Sequence, residues 1–177
     1  MIVETNFSWR GVALYCGLGA LLAVLQSVLG RYSDWAVPEV TLVLVIHAGF
    51  FRGAHEAGWI ALALGALVDA QSGTYFGYTM TLYMIVLIAT RILLGRVFSD
   101  TPAFQGAAVF GLSAVCAVAG WALLALFTDA APAAGGYFRL APLRSLSAAI
   151  AAVPLSVALS RLYSVRFFSL GKRGLQT

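Results

Sequence analysis

The chain has 177 residues, of which 61% are hydrophobic and 10% charged, with a mean hydropathy of +0.90 and a formal charge of +4. That balance excludes a soluble globular domain, in which about a quarter of the residues are charged. The eleven Lys and Arg residues are dispersed and lack interleaved aromatics, which excludes a nucleic-acid surface and leaves orientation in a bilayer as their use.

In chain order, MIVETNFSWR carries a single acid and a single base before the apolar run from Gly11 to Gly30. The run is too long for a signal-peptide core and lacks an AxA cleavage site, so it predicts a retained first helix. A helix needs about 20 apolar residues to cross a hydrocarbon core of about 30 Å. Gly77 to Leu94, Gln105 to Phe127 and Leu143 to Leu162 also fit that length. Pro142 stands at the start of the last segment, where proline is tolerated, and Pro154 in its middle predicts a kink.

Two segments are shorter. Val37 to Phe51 opens with Pro38 and Glu39, and Ala57 to Ala70 follows a turn holding Arg52, His55 and Glu56. At roughly 21 to 23 Å each, they read as thin spans accommodated by local thinning, with a re-entrant pair as the alternative. The expectation is an all-α polytopic membrane protein of six transmembrane helices, the second and third short, in a single domain over 1–177. Counting bases orients it. Arg10, Arg52, Arg91, Arg96, Arg161, Arg166, Lys172 and Arg173 gather on one side against Arg31, Arg139 and Arg144 on the other, which puts both termini in the cytoplasm. The tail from Arg161 mixes bases with Tyr163, Phe167 and Phe168, as suits a frayed end or a segment resting on the inner leaflet.

Asp69 breaks the pattern. A carboxylate in mid-membrane costs roughly 2.5 to 3.5 kcal/mol on insertion scales, yet this one follows the apolar run Trp59 to Val68. Gly58, Ala61, Gly65 and Asp69 share one helical face, and that face is small enough for a neighbouring helix to approach closely. Two structural roles follow: Ser72 and Gly73 donate to the carboxylate, or Asp69 accepts from the orphan amides of the next helix. An ion, proton or substrate site is the functional alternative.

The stretch PEVTLVLVIHAGFFRG, a short apolar helix and then GALVDAQSGTYFGYTMTLY together resemble the MreD family of bacterial shape proteins. That family has a proline-started second helix and a D-x-x-S-G-x-x-x-G turn, matched here by Asp69, Ser72, Gly73 and Gly77. The specific part of the likeness runs from Pro38 to about Tyr83, and beyond Leu94 the helices match in character alone. The resemblance implies a non-enzymatic component of the elongasome in the bacterial inner membrane, supporting lateral peptidoglycan synthesis and rod cell shape. Its implied partners are MreC and, through it, MreB, RodA and a class B penicillin-binding transpeptidase, together with membrane lipid.

Other patterns point less far. His47 follows Glu39 by eight residues and is placed to share a polar face with it. HEAGW lacks the second His of a zincin helix, no GxSxG elbow occurs, and Cys16 and Cys116 lie in separate apolar runs as small core residues. No catalytic residue, metal site or cofactor is expected. Gly19, Ala23 and Ser27 repeat every four residues on the first helix, a stripe that serves internal packing or a partner's helix, as do Gly58, Ala61 and Gly65. The rival reading is the substrate-binding subunit of a small-solute transporter, since MreD-like chains are similar in architecture to energy-coupling factor S-components. Such a subunit gathers polar side chains at its outer end, where this sequence offers Asp69, Gln71, Ser72 and Tyr75.

Overall fold

The computed structural model describes residues 9–32, 39–73, 75–96, 102–127, 137–139 and 141–171. The described residues form six long helices: α1 Trp9–Tyr32, α2 Val40–Phe51, α3 Ala54–Ser72, α4 Tyr78–Arg96, α5 Pro102–Phe127 and α6 Ala141–Gly171. Three contain stretches long and apolar enough to cross a membrane, Gly11–Val28, Gly106–Phe127 and Ala141–Ala158, while Val40–Phe51 and Tyr78–Leu93 are shorter apolar helices.

The shortest helix holds the centre. The sequence of α2, VTLVLVIHAGFF, is rich in β-branched residues, which lower helix propensity in water. In apolar surroundings the backbone must satisfy its own hydrogen bonds, and that requirement overrides propensity. Thr41 to Ile46 are all buried, and six consecutive residues sweep every face of a helix. Accordingly α2 contacts each of the other five helices. Around it α1 packs on α3, α3 on α4, α4 on α5 and α5 on α6, whereas α1 and α6 do not touch among the described residues.

Several expected boundaries change. The third helix begins at Ala54 rather than Ala57, so Glu56, read as a turn residue, is 2% exposed in its first turn. There it pairs with Arg52 at 3.3 Å, and an acid near a helix N-terminus is favoured by the dipole. His55 stays exposed. The last helix is continuous through Pro154 to Gly171, so the expected tail is helical to that point and 172–177 lie outside the described residues. Pro38 also lies outside them.

Small residues set the closest approaches. A Cβ on Gly65 would lie 2.6 Å from Met80 Cα and 2.8 Å from Met80 N, so α3 and α4 meet backbone to backbone there. A Cβ on Gly49 would lie 2.8 Å from Thr90 Cγ2, and one on Gly19 would strike the Leu64 side chain. Ala23 and Ala61 are buried as well. Gly19, Ala23, Ala61 and Gly65 are thus covered by the chain's own residues rather than left for a partner. Ser27 is exposed, its hydroxyl donating to Val24 O, and a Cβ on Gly58 would meet nothing within 4 Å.

This contrast is testable. Gly65→Ala must push α3 from α4 and is expected to cost about 1 to 3 kcal/mol, read as a lower thermal midpoint in detergent. Gly58→Ala is expected to be neutral or to stabilise by up to about 1 kcal/mol through helix propensity.

Candidate functional site: the Asp69 turn and the cavity beside it

The turn between α3 and α4 is organised by one side chain. Helix α3 ends with Gly73 in the left-handed region at φ 63°, and Gly77 has φ 97°, conformations that glycine adopts without a Cβ penalty. These two glycines direct the chain back so that the first amides of α4 face Asp69. Asp69 Oδ2 accepts from Gly77 N at 2.8 Å and Met80 N at 3.4 Å, and Oδ1 accepts from Thr79 N at 2.9 Å. Three amides at the head of α4 would otherwise lack intrahelical partners. A carboxylate is the apt acceptor, because it holds two oxygens and matches the positive end of the helix dipole.

Of the two structural roles open from the sequence, the carboxylate takes the second. The Ser72 hydroxyl donates to the Asp69 carbonyl oxygen at 3.3 Å. Asp69 is 2% exposed, so its oxygens are committed to the backbone and not offered to a ligand. Tyr75 and Phe76, at the tip of the turn, are exposed.

Next to this turn the described residues line a half-open cavity of about 530 Å³, within the range of ligand pockets. It lies at the N-terminal end of α2, which has 12 residues against 24 in α1 and 26 in α5. Glu39 and Thr41 lie at that end of α2, Gln26 comes from α1 and Ser72 from α3. Tyr78 and Tyr83 come from α4, Ser113 and Cys116 from α5, Arg144 and Ser145 from α6.

Some of these groups satisfy one another. Thr41 Oγ1 and the Tyr83 hydroxyl are 2.7 Å apart and buried. The Tyr78 and Tyr137 hydroxyls are hydrogen-bonded, and a Cβ on Gly120 would lie 2.8 and 2.9 Å from them. Others are not satisfied from within. Gln26 Oε1 is covered and accepts no hydrogen bond, and Glu39 caps α2 with no side-chain hydrogen bond.

The opposite end is closed by a polar cluster. Arg52 pairs with Glu56 and lies 5.5 Å from the centroid of the Tyr15 ring. The Tyr15 hydroxyl and His47 Nδ1 are 2.9 Å apart, His47 packs on Phe51, and Arg91 donates to the Arg52 carbonyl. The expected shared face of Glu39 and His47 is therefore not formed: Glu39 lines the cavity and His47 meets Tyr15 near the other end. Eight residues along a helix are about 80° out of register, and the intervening rise separates the two groups.

The polar convergence around Glu39 was not foreseen from Asp69, Gln71, Ser72 and Tyr75. Of those four only Ser72 lines the cavity. A visible signal existed in Glu39, a carboxylate at the head of an otherwise apolar helix. Cys116 is buried and Cys16 half-buried, both as free thiols, and among the described residues no three His, Cys, Asp or Glu side chains cluster as a metal site. No family model, no curated protein and no solved structure matches this chain.

The clamp predicts an asymmetry between its members. Asp69→Asn keeps the shape but turns an acceptor into a donor facing backbone amides, at an expected cost of about 2 kcal/mol or more. Ser72→Ala removes one long hydrogen bond and is expected to stay within about 0.5 kcal/mol. Thermal unfolding of the two variants in one detergent measures the difference.

Proposed function

We propose that this chain is a non-enzymatic membrane component of the MreD kind, which binds MreC and supports lateral-wall peptidoglycan synthesis by the elongation machinery. In this reading six helices cross the inner membrane, both termini are cytoplasmic, and the Asp69 turn faces outward. The observation that carries it is the behaviour of the motif on which the resemblance rests. Asp69 and Gly77 are joined by a direct hydrogen bond, and Gly73 and Gly77 supply the two positive-φ positions of the turn. A motif whose members depend on one another at a turn is a stronger link to a family than apolar composition is.

The role is scaffolding rather than chemistry. The carboxylate that stood out in the sequence is used up on backbone amides, and the helices beyond α2 present apolar side chains such as Leu21, Leu25, Ile88, Ile92 and Ile150 outward. Partner helices and lipid are what such faces meet in a bilayer.

A second reading, the substrate-binding subunit of a small-solute transporter, is favoured by the cavity around Glu39. One experiment separates the two. Affinity capture of the tagged chain from its native membranes in mild detergent is expected to recover MreC with wall synthases. Recovery of an ATPase-driven transport module instead would replace the first reading by the second. Asp69→Ala is expected to lower MreC recovery severalfold, in proportion to the lost order of the turn between α3 and α4.

A further inference from the structure

The cavity carries two opposite charges that do not meet. Glu39 stands where α2 begins, and no hydrogen bond reaches its carboxylate from the described residues. Arg144, on α6, acts on Glu39 electrostatically without closing into an ion pair. A carboxylate without a donor is costly in an apolar setting, and an anionic and a cationic group lining one cavity define a ligand with both signs.

We propose that this cavity binds a zwitterion bearing a primary ammonium and an acidic group a few bonds apart, of the phosphoethanolamine kind, with the ammonium at Glu39 and the acid at Arg144. An ammonium offers three N–H donors to acceptors that lack them. A phosphate or carboxylate gives the guanidinium a planar, bidentate partner. The cavity of about 530 Å³ exceeds the volume of such a headgroup, and Tyr78 and Tyr83 supply amphipathic walls with one polar tip each.

Two sources share this chemistry. A free solute reaches the cavity along the bundle axis. A lipid headgroup has a sideways path, because α1 and α6 do not touch among the described residues, and Gln26 and Arg144 belong to those two helices. The inference rests on the cavity being a binding site and holds under either role proposed above.

The test uses the full chain in nanodiscs of equal parts phosphatidylethanolamine and phosphatidylcholine, re-extracted in mild detergent, with retained lipid weighed by native mass spectrometry. Phosphatidylcholine carries the same phosphate but no N–H. In parallel, thermal unfolding is followed with added O-phosphoethanolamine. Retention of phosphatidylethanolamine over phosphatidylcholine by about tenfold is expected, the worth of one hydrogen bond to a charged group, with loss of that preference in Glu39→Gln and weaker retention of both lipids in Arg144→Gln.

Selective lipid retention supports the proposal with a lipid source. A thermal shift with O-phosphoethanolamine that Arg144→Gln abolishes supports it with a soluble one. Arg144 is exposed at the rim, so its variant keeps the test informative if Glu39→Gln fails to fold. Equal retention of both lipids together with no thermal shift overturns the proposal, as does undiminished retention of phosphatidylethanolamine in Arg144→Gln. If that happens while MreC is still captured, the scaffolding role stands without this ligand.

Discussion

A helix of 12 residues rises only about 18 Å, well short of a hydrocarbon core of about 30 Å, so α2 depends on its neighbours at each end. That constraint shapes the rest of the molecule. Its sides are covered by five helices, its C-terminal end is met by the Arg52 cluster, and its N-terminal end opens into the cavity. The burial of Thr41 to Ile46 on every side is what makes the bundle one unit. The ring helices touch only their immediate neighbours in the ring, but all of them touch α2.

The two ends of α2 are handled by different physics. At the Arg52 end, charges are brought together: the Arg52–Glu56 pair at 3.3 Å, the Arg52 guanidinium near the Tyr15 ring and the Tyr15–His47 contact form a linked set. Most of that set is satisfied from within, as a buried polar group requires, while Arg91 Nε beside it has no partner among the described residues. At the Asp69 end the polar groups divide. Asp69 spends its oxygens on the amides that begin α4, and Glu39, one helix away, keeps its carboxylate toward open volume. The difference explains why the two acids have different uses although both sit at the same end of the bundle. One is a local backbone clamp, and the other is a wall.

The clamp also governs the cavity indirectly. By fixing where α4 begins, Asp69 sets the height of Tyr78 and Tyr83, which form one wall. The tight seam at Gly65 and Met80 holds α3 and α4 together as an antiparallel pair beside it. A scaffold role and a ligand-holding role are therefore compatible on one framework, since the apolar outer faces and the polar inner volume belong to different sides of the same helices.

The amino-acid sequence by itself determined the number and approximate position of the helices, because an apolar run long enough to be helical is a local property. It also located the Asp69 turn, since D-x-x-S-G-x-x-x-G spells a carboxylate and two glycines at turn spacing. Even there it left open whether Asp69 takes donors from Ser72 or from the next helix, a choice that hangs on how α4 is aimed. Only the tertiary structure decided that the shortest helix is central, because a helix apolar on all faces has no stripe to say what it packs against. The same holds for the cavity: Gln26, Glu39, Tyr78, Tyr137 and Arg144 come from distant parts of the chain, and only their packing in three dimensions brings them to one volume.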